Sequence, residues 1–210
     1  MRRELSRPRT AARASLVAAG ALVAALAVGT AGAQTPPDTV AFESAQFRYS
    51  VTLPKACRHD EGPGTLDAIC SPDLDQEKSA EANAAAALML EVSVESVPAD
   101  AGATPADLAQ RYGDTQFKEE LAEAICGETD RAKVKVEDAK QLLEEARVVY
   151  TAGITCPEIK FLGLGERRAG VRFVITPGMR YRLMARALKE DFEQRKEAVD
   201  AFFASFRVLP

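Results

Sequence analysis

The chain has 210 residues, with 27 Lys and Arg against 31 Asp and Glu, a net charge of −4, four cysteines and one histidine. That length suits a single domain. The mild acidity argues against nonspecific nucleic-acid binding, which depends on neutralising phosphates, and a lone histidine leaves little from which to build a histidine-based site.

Arg2, Arg3, Arg7, Arg9 and Arg13 precede an apolar run from Ala14 to Val28 that ends in Ala31-Gly32-Ala33. A basic start, a short apolar run and a small-residue cleavage site predict a secretory signal peptide over residues 1–33. The run is too Ala-rich and too short for a retained anchor. No Cys stands at the cleavage site for a lipid, and Arg2-Arg3 lacks the rest of a twin-arginine pattern, so the general secretory route is expected. The leader takes five of the 27 basic residues and one of the 31 acidic ones, leaving 22 and 30 and a net charge of about −8. The expected location is periplasmic or secreted, with no transmembrane segment after cleavage.

Residues 34–39, with Pro36-Pro37, read as a flexible leader-in to one α+β domain over 40–210. Phe47, Tyr49, Val51 and Leu53 alternate with polar residues in a strand stopped by Pro54. Cys57 to Pro72, rich in Gly, Pro and Asp, reads as a loop, and Asp73 to Asn83 is polar. Ala86, Leu88, Leu90, Val92 and Val94 alternate with Met89, Glu91, Ser93 and Glu95, a strand with one wet face. Thr104-Pro105-Ala106-Asp107 opens a helix with Thr as N-cap and Pro at its first position. Gly113-Asp114 interrupts it, and Phe117, Leu121 and Ile125 resume at spacing four. Lys133 to Val136 suits a short strand. Ala139, Leu142, Leu143 and Ala146 fit a helix, followed by extended chain from Val148 to Ile154. Ile159 and Phe161 alternate before Gly163 and Gly165.

Val171, Phe173 and Ile175 alternate in one strand and Tyr181, Leu183, Ala185 and Ala187 in the next, around Pro177-Gly178. A two-residue Pro-Gly loop would pair Ile175 with Arg180 and Phe173 with Arg182, which puts apolar and charged side chains on the same face all along the hairpin and is costly. A three-residue loop, Pro177 to Met179, pairs Ile175 with Tyr181 and Phe173 with Leu183, and is the register expected. It places Arg168, Arg172, Arg180, Arg182 and Arg186 on one face. Asp191 is a candidate N-cap for a last helix, with Phe192, Val199, Phe202 and Phe206 as its apolar stripe. Ser205 to Leu209 closes as an edge strand.

Cys57, Cys70, Cys126 and Cys156 form an even set in an exported chain, which predicts two disulfides among three possible connectivities. Proximity favours Cys57–Cys70 and Cys126–Cys156. The lack of a Cys-x-x-Cys argues against a metal knuckle and against thioredoxin-type chemistry.

The order of elements, with Phe47-Arg48-Tyr49-Ser50-Val51-Thr52-Leu53-Pro54 at one end and the span Tyr181 to Arg207 at the other, resembles the PsbP-like family. Its namesake is an extrinsic protein of the oxygen-evolving complex, and a Ran-binding nuclear factor shares the fold. The chain departs from the pattern at Lys55-Ala56-Cys57, where an aromatic often follows the Pro. The resemblance implies an antiparallel sheet flanked by helices, an α/β/α sandwich, and a binding or assembly role in place of catalysis. It carries over no functional residue.

Two candidate sites remain. His59 stands beside Asp60 and Glu61, and a Cys57–Cys70 bridge brings Asp73 and Asp75 near, so a surface metal site and a metal-assisted hydrolase form one reading. There is no second histidine and no calcium-loop Gly and Glu, and the plainer reading is a solvated acidic loop. Ser71 lacks a nucleophile-elbow setting. The arginine face, on an otherwise acidic domain, suits a carboxylate, a phosphate or an acidic partner, against the plainer reading of a solvated sheet face. The expected function is a non-enzymatic binding or assembly module, without cofactor, for an envelope protein or small anionic ligand.

Overall fold

The structure, a computed structural model, describes residues 38–70, 87–113, 125–126, 133–144, 146–157 and 165–210. The predicted signal peptide, the polar run 73–83, Asp73, Asp75, Phe117, Leu121, Ile159 and Phe161 lie outside these residues.

The chain forms β1 (Thr39–Ser44), β2 (Tyr49–Pro54), β3 (Arg58–Gly62), β4 (Thr65–Cys70) and β5 (Leu88–Ser96). A 3-10 turn at Pro98–Asp100 leads to helix α1 (Pro105–Arg111). Then come β6 (Lys135–Glu144), β7 (Arg147–Cys156), β8 (Arg167–Thr176) and β9 (Met179–Leu188). Helices α2 (Lys189–Gln194) and α3 (Lys196–Ser205) and the short β10 (Arg207–Val208) end it. Among the described residues a seven-stranded sheet runs β3-β4-β5-β9-β8-β7-β6 and a small sheet runs β1-β2-β10. Every pairing is antiparallel.

Two cores form because the large sheet is covered on both faces. Leu66, Ala68, Leu88, Leu90, Val92, Leu183 and Ala185 face the small sheet and α2–α3, where Val199 and Phe202 of α3 and the following Phe206 are buried. Tyr150, Ile154, Val171, Phe173 and Ile175 face the other way, against Leu108 and Tyr112 of the α1 region. The two segments behind the family resemblance meet in the first core. Tyr49 stacks on Phe206 with ring centroids 5.7 Å apart, Tyr181 lies 5.6 Å from Phe206, and the Tyr181 hydroxyl donates to the Phe47 carbonyl at 3.1 Å. Burial, with Glu61 adding to it, pushes the Tyr49 phenol up to about 12. Gly170 of β8 sits beneath the helices, and a Cβ there would come within 3.1 Å of the Phe203 ring. Its lack of a side chain lets α2–α3 lie close to the sheet.

Five expectations need correction. Thr39 already pairs with Pro54 in β1, so the leader-in ends before it. The stretch read as a loop after Cys57 is a hairpin, β3–β4, whose Leu66, Ala68 and Cys70 point into the core. The helix expected around Ala139 to Ala146 is strand β6 and its turn. Residues 140–144 pair regularly with β7, and that pairing overrides a helical spacing whose Leu142 and Leu143 stay exposed. The last helix begins at Lys189, before Asp191, because the chain leaves β9 directly, with Lys189 N donating to Glu166 O at 2.9 Å. It breaks at Arg195, whose guanidinium donates to the Cys70 carbonyl at 2.8 Å.

The fifth correction is the β8–β9 register. Thr176 pairs with Met179, Ile175 with Arg180 and Phe173 with Arg182, around a two-residue Pro177-Gly178 loop. Gly178 has φ 81°, as the third position of a type II turn requires. The three-residue loop rested on one face being apolar and the other wet. Both faces are apolar in places here, so the odd residues of β8 enter one core and the odd residues of β9 the other. Charge and apolarity divide side by side across one face, between β9 and β8, and not between the two faces.

Candidate functional site: a charged half-face of the sheet

The register distributes the five arginines over two faces. Arg168 and Arg172 share the α2–α3 face with Tyr181 and Leu183, while Arg180, Arg182 and Arg186 share the opposite face with Phe173 and Ile175. The single five-arginine patch does not exist.

Arg168 and Arg172 are committed to the fold. Arg168 pairs with Glu193 and lies 5.8 Å from the centre of the Phe192 ring. Arg172 donates to the Phe203 carbonyl at 2.8 Å, and burial holds its pKa below the usual guanidinium value. Together they tie β8 to the helices above it.

The other three arginines border a charged half-face formed by β3, β4, β5 and β9. Its residues fall in cross-strand rows: Asp60, Asp67, Glu91 and Met184 in one, Arg58, Ile69, Met89 and Arg186 in the next, then Ser93 beside Arg182 and Glu95 beside Arg180. Arg182 Nη2 donates to Glu91 Oε1 at 2.6 Å, and Arg180 Nε to Glu95 Oε2 at 3.1 Å. The heads of Arg182 and Arg180 thus reach carboxylates of the neighbouring strand β5. Burial raises the Asp67 pKa; Glu91 and Asp60 raise it further, and Arg186 and Arg182 oppose them. Three carboxylates in one row thus stand between arginines.

The half-face ends at a buried polar contact. Arg180 lies 5.9 Å from the centre of the Tyr112 ring, and the Tyr112 hydroxyl donates to Asp100 Oδ2 at 2.6 Å. Asp100 is 1% exposed and also pairs with Arg111. The adjoining α1 starts as the sequence predicts, with Thr104 and Asp107 exchanging hydrogen bonds in a capping box.

The histidine site does not assemble among the described residues. His59 and Glu61 pair with Ala68 and Leu66 on the small-sheet face, and His59 has its ring 6.4 Å from Phe42. Asp60, on the other face, pairs with Asp67. Neighbours on a strand point apart, so His59 and Asp60 do not converge, and no group of three or more His, Cys, Asp or Glu side chains suited to a metal occurs among the described residues. Both disulfides form as expected, Cys57–Cys70 across the open end of β3–β4 and Cys126–Cys156 at the end of β7. No helix among the described residues is long and apolar enough to cross a membrane.

Asp67, Glu91 and Glu95 were not singled out as site residues from sequence. Asp67 lay in a stretch read as a loop, and the two glutamates read as one side of an ordinary wet strand. A signal was present: Pro63-Gly64, between Gly62 and Thr65, is a second Pro-Gly turn, and Gly64 has φ 78°.

No family model and no curated protein matches the sequence. Two of the solved structures similar in shape illustrate the fold. One is the solution structure of cyanobacterial PsbP (CyanoP) from Synechocystis sp. PCC 6803, 16% identical, with a TM-score of 0.51 over 86% of this chain and 98% of that one. The other is LpqN, involved in cell envelope biogenesis of Mycobacterium tuberculosis, 11% identical, with a TM-score of 0.53 over 82% of this chain and 91% of that one. The fold is PsbP-like, α+β, with the antiparallel sheet and flanking helices that the sequence resemblance implied.

Proposed function

We propose that the protein is an exported, non-catalytic binding or assembly module that engages an envelope protein or a small anionic ligand through the charged half-face. The observation that carries this reading is the array of Arg180, Arg182 and Arg186 set against Glu95, Glu91 and Asp67. Interleaved guanidinium and carboxylate groups give a partner both orientation and charge complementarity. The N-terminal leader and the two disulfides support an oxidising compartment outside the cytoplasm, and the involvement of LpqN in cell envelope biogenesis is compatible with it. Arg168 and Arg172 drop out of the contact set, since the helices occupy them.

The test joins location to binding. Fractionation of the native host should find a processed chain starting near Gln34, outside the cytoplasm, with no alkylatable thiol. Photo-crosslinking from position 67 should trap a defined partner. Arg182→Gln with Arg186→Gln should weaken that capture at least about tenfold, and added salt should weaken it too; since the Arg182–Glu91 pair is part-buried, circular dichroism should show the variant folded before its binding is read. Normal capture by the double variant, insensitive to salt, makes the half-face a solvated surface only. Turnover on a hydrolase panel that His59→Ala abolishes would establish the enzymatic reading in its place.

A further inference from the structure

Among the described residues the large sheet has two edges, and they are built differently. The β3 edge has five residues, and Arg58, His59, Asp60 and Glu61 are all exposed. Short, charged strands of this kind discourage further pairing. The β6 edge has ten residues. Its first half is similarly protected, by Lys135, Glu137 and Asp138, by a register irregularity between Glu137 and Lys140, and by a left-handed Asp138 at φ 52°. Its second half is regular from Lys140 to Glu144 and carries Leu142 and Leu143, 56% and 60% exposed. These adjacent leucines face opposite ways, and each ends an apolar row of the core: Leu142 follows Val149 and Val174, and Leu143 follows Val148 and Ile175. One added strand would continue both rows.

We infer that this strand is β6 of a second copy, paired antiparallel about Leu142, so that two sheets join edge to edge in a two-fold dimer. Backbone groups that point off an edge alternate along the strand. Identical edges therefore pair only in registers that set even-numbered residues opposite even and odd opposite odd. Within the regular segment three such registers are available. Centring on Gln141 sets Glu144 against Asp138, two like charges, and runs into the irregularity. Centring on Leu143 sets Leu142 against Glu144. Centring on Leu142 sets Leu142 against itself, Gln141 against Leu143, and Lys140 against Glu144 twice. Only this last register stacks leucine on leucine while opposing unlike charges. Lys140 is exposed, and Glu144 already pairs with Arg147 across the hairpin turn, which leaves its second oxygen for the incoming lysine.

The test is a sedimentation-equilibrium series on the purified, disulfide-intact protein, up to about 0.5 mM, where weak dimers are still detectable. A monomer–dimer equilibrium is expected. Leu142→Lys with Leu143→Lys should weaken it at least about tenfold without lowering Tm appreciably. Lys140→Glu should weaken it as well, and Lys140→Glu with Glu144→Lys should restore it, since only this register makes those two positions face each other across the dyad. A monomer throughout overturns the inference, whether or not the edge pairs with an extended peptide of another protein. So does a dimer that the leucine variant leaves intact. A dimer that the leucines break but the charge swap does not rescue overturns pairing about Leu142.

Discussion

Asp67 carries the consequence of the cross-strand rows at the scale of single residues. Its pKa is raised from the usual 3.8, first by burial and then by Glu91. The folded state therefore holds the proton more tightly than the unfolded chain, and ionising Asp67 costs stability. That cost is absent well below 3.8 and fully present once pH exceeds the raised folded value. Asp67→Asn should accordingly raise Tm at neutral pH, with the gain shrinking as pH falls toward 3.8. Melting curves across that range check it, and a gain that does not change with pH would place the effect in packing instead of charge. Arg182 and Arg172 show how one residue type takes two roles: Arg182 reaches the half-buried carboxylate of Glu91 on the neighbouring strand, whereas Arg172 donates to the Phe203 backbone carbonyl of the helix above it.

Pro-Gly turns govern the architecture at the scale of elements. Pro63-Gly64 and Pro177-Gly178 each close a two-residue loop with the glycine at positive φ, 78° and 81°. At Gly178 a Cβ would meet Ala101 only at ordinary contact distance, 3.6 Å, so the cost of adding one comes from the backbone. Gly178→Ala should lower stability by about 1–2 kcal/mol, the price of a left-handed L-residue. Urea unfolding measures it. A loss near zero would mean that the turn relaxes to another type, and with it the register that splits the arginines. The α1 capping box was readable because it is local: Thr104 and Asp107 satisfy each other's backbone donors, and Pro105 has none to satisfy, without tertiary help.

The disulfides act at the scale of the whole molecule. Cys57–Cys70 closes a separation of 13 residues and Cys126–Cys156 one of 30. In the chain-entropy account each contributes roughly 3–4 kcal/mol, the longer loop exceeding the shorter by about 0.7 kcal/mol. Replacing Cys126 and Cys156 together by Ser should therefore cost slightly more than replacing Cys57 and Cys70. Chemical denaturation of the two double variants under oxidising conditions checks the order. A reversed order would show that the β3–β4 bridge supports native packing beyond its loop entropy. That outcome would be informative, since Arg195 also reaches the Cys70 carbonyl and ties the helix break to this corner.

Local and periodic signals sufficed for several features. The alternation of β2 and β5, the α1 cap, the aromatic stripe of the last helix and the pairing of four cysteines by proximity all describe neighbours in sequence, and each appears in the fold. The order of those elements was enough to suggest the shared fold. What the tertiary structure alone decided was which faces are covered. Period two states that a strand has two sides but not what lies on either. With α1 over one side and α2–α3 with the small sheet over the other, Ile175 beside Arg180 is no longer a conflict, and the two-residue turn wins. Pairing likewise made a strand of residues 140–144, because the partners offered by Arg147 to Thr151 outweigh the helical spacing. Asp67, Glu91 and the arginines became one surface for that reason too: three strands distant in sequence share a face only after the sheet has chosen its registers.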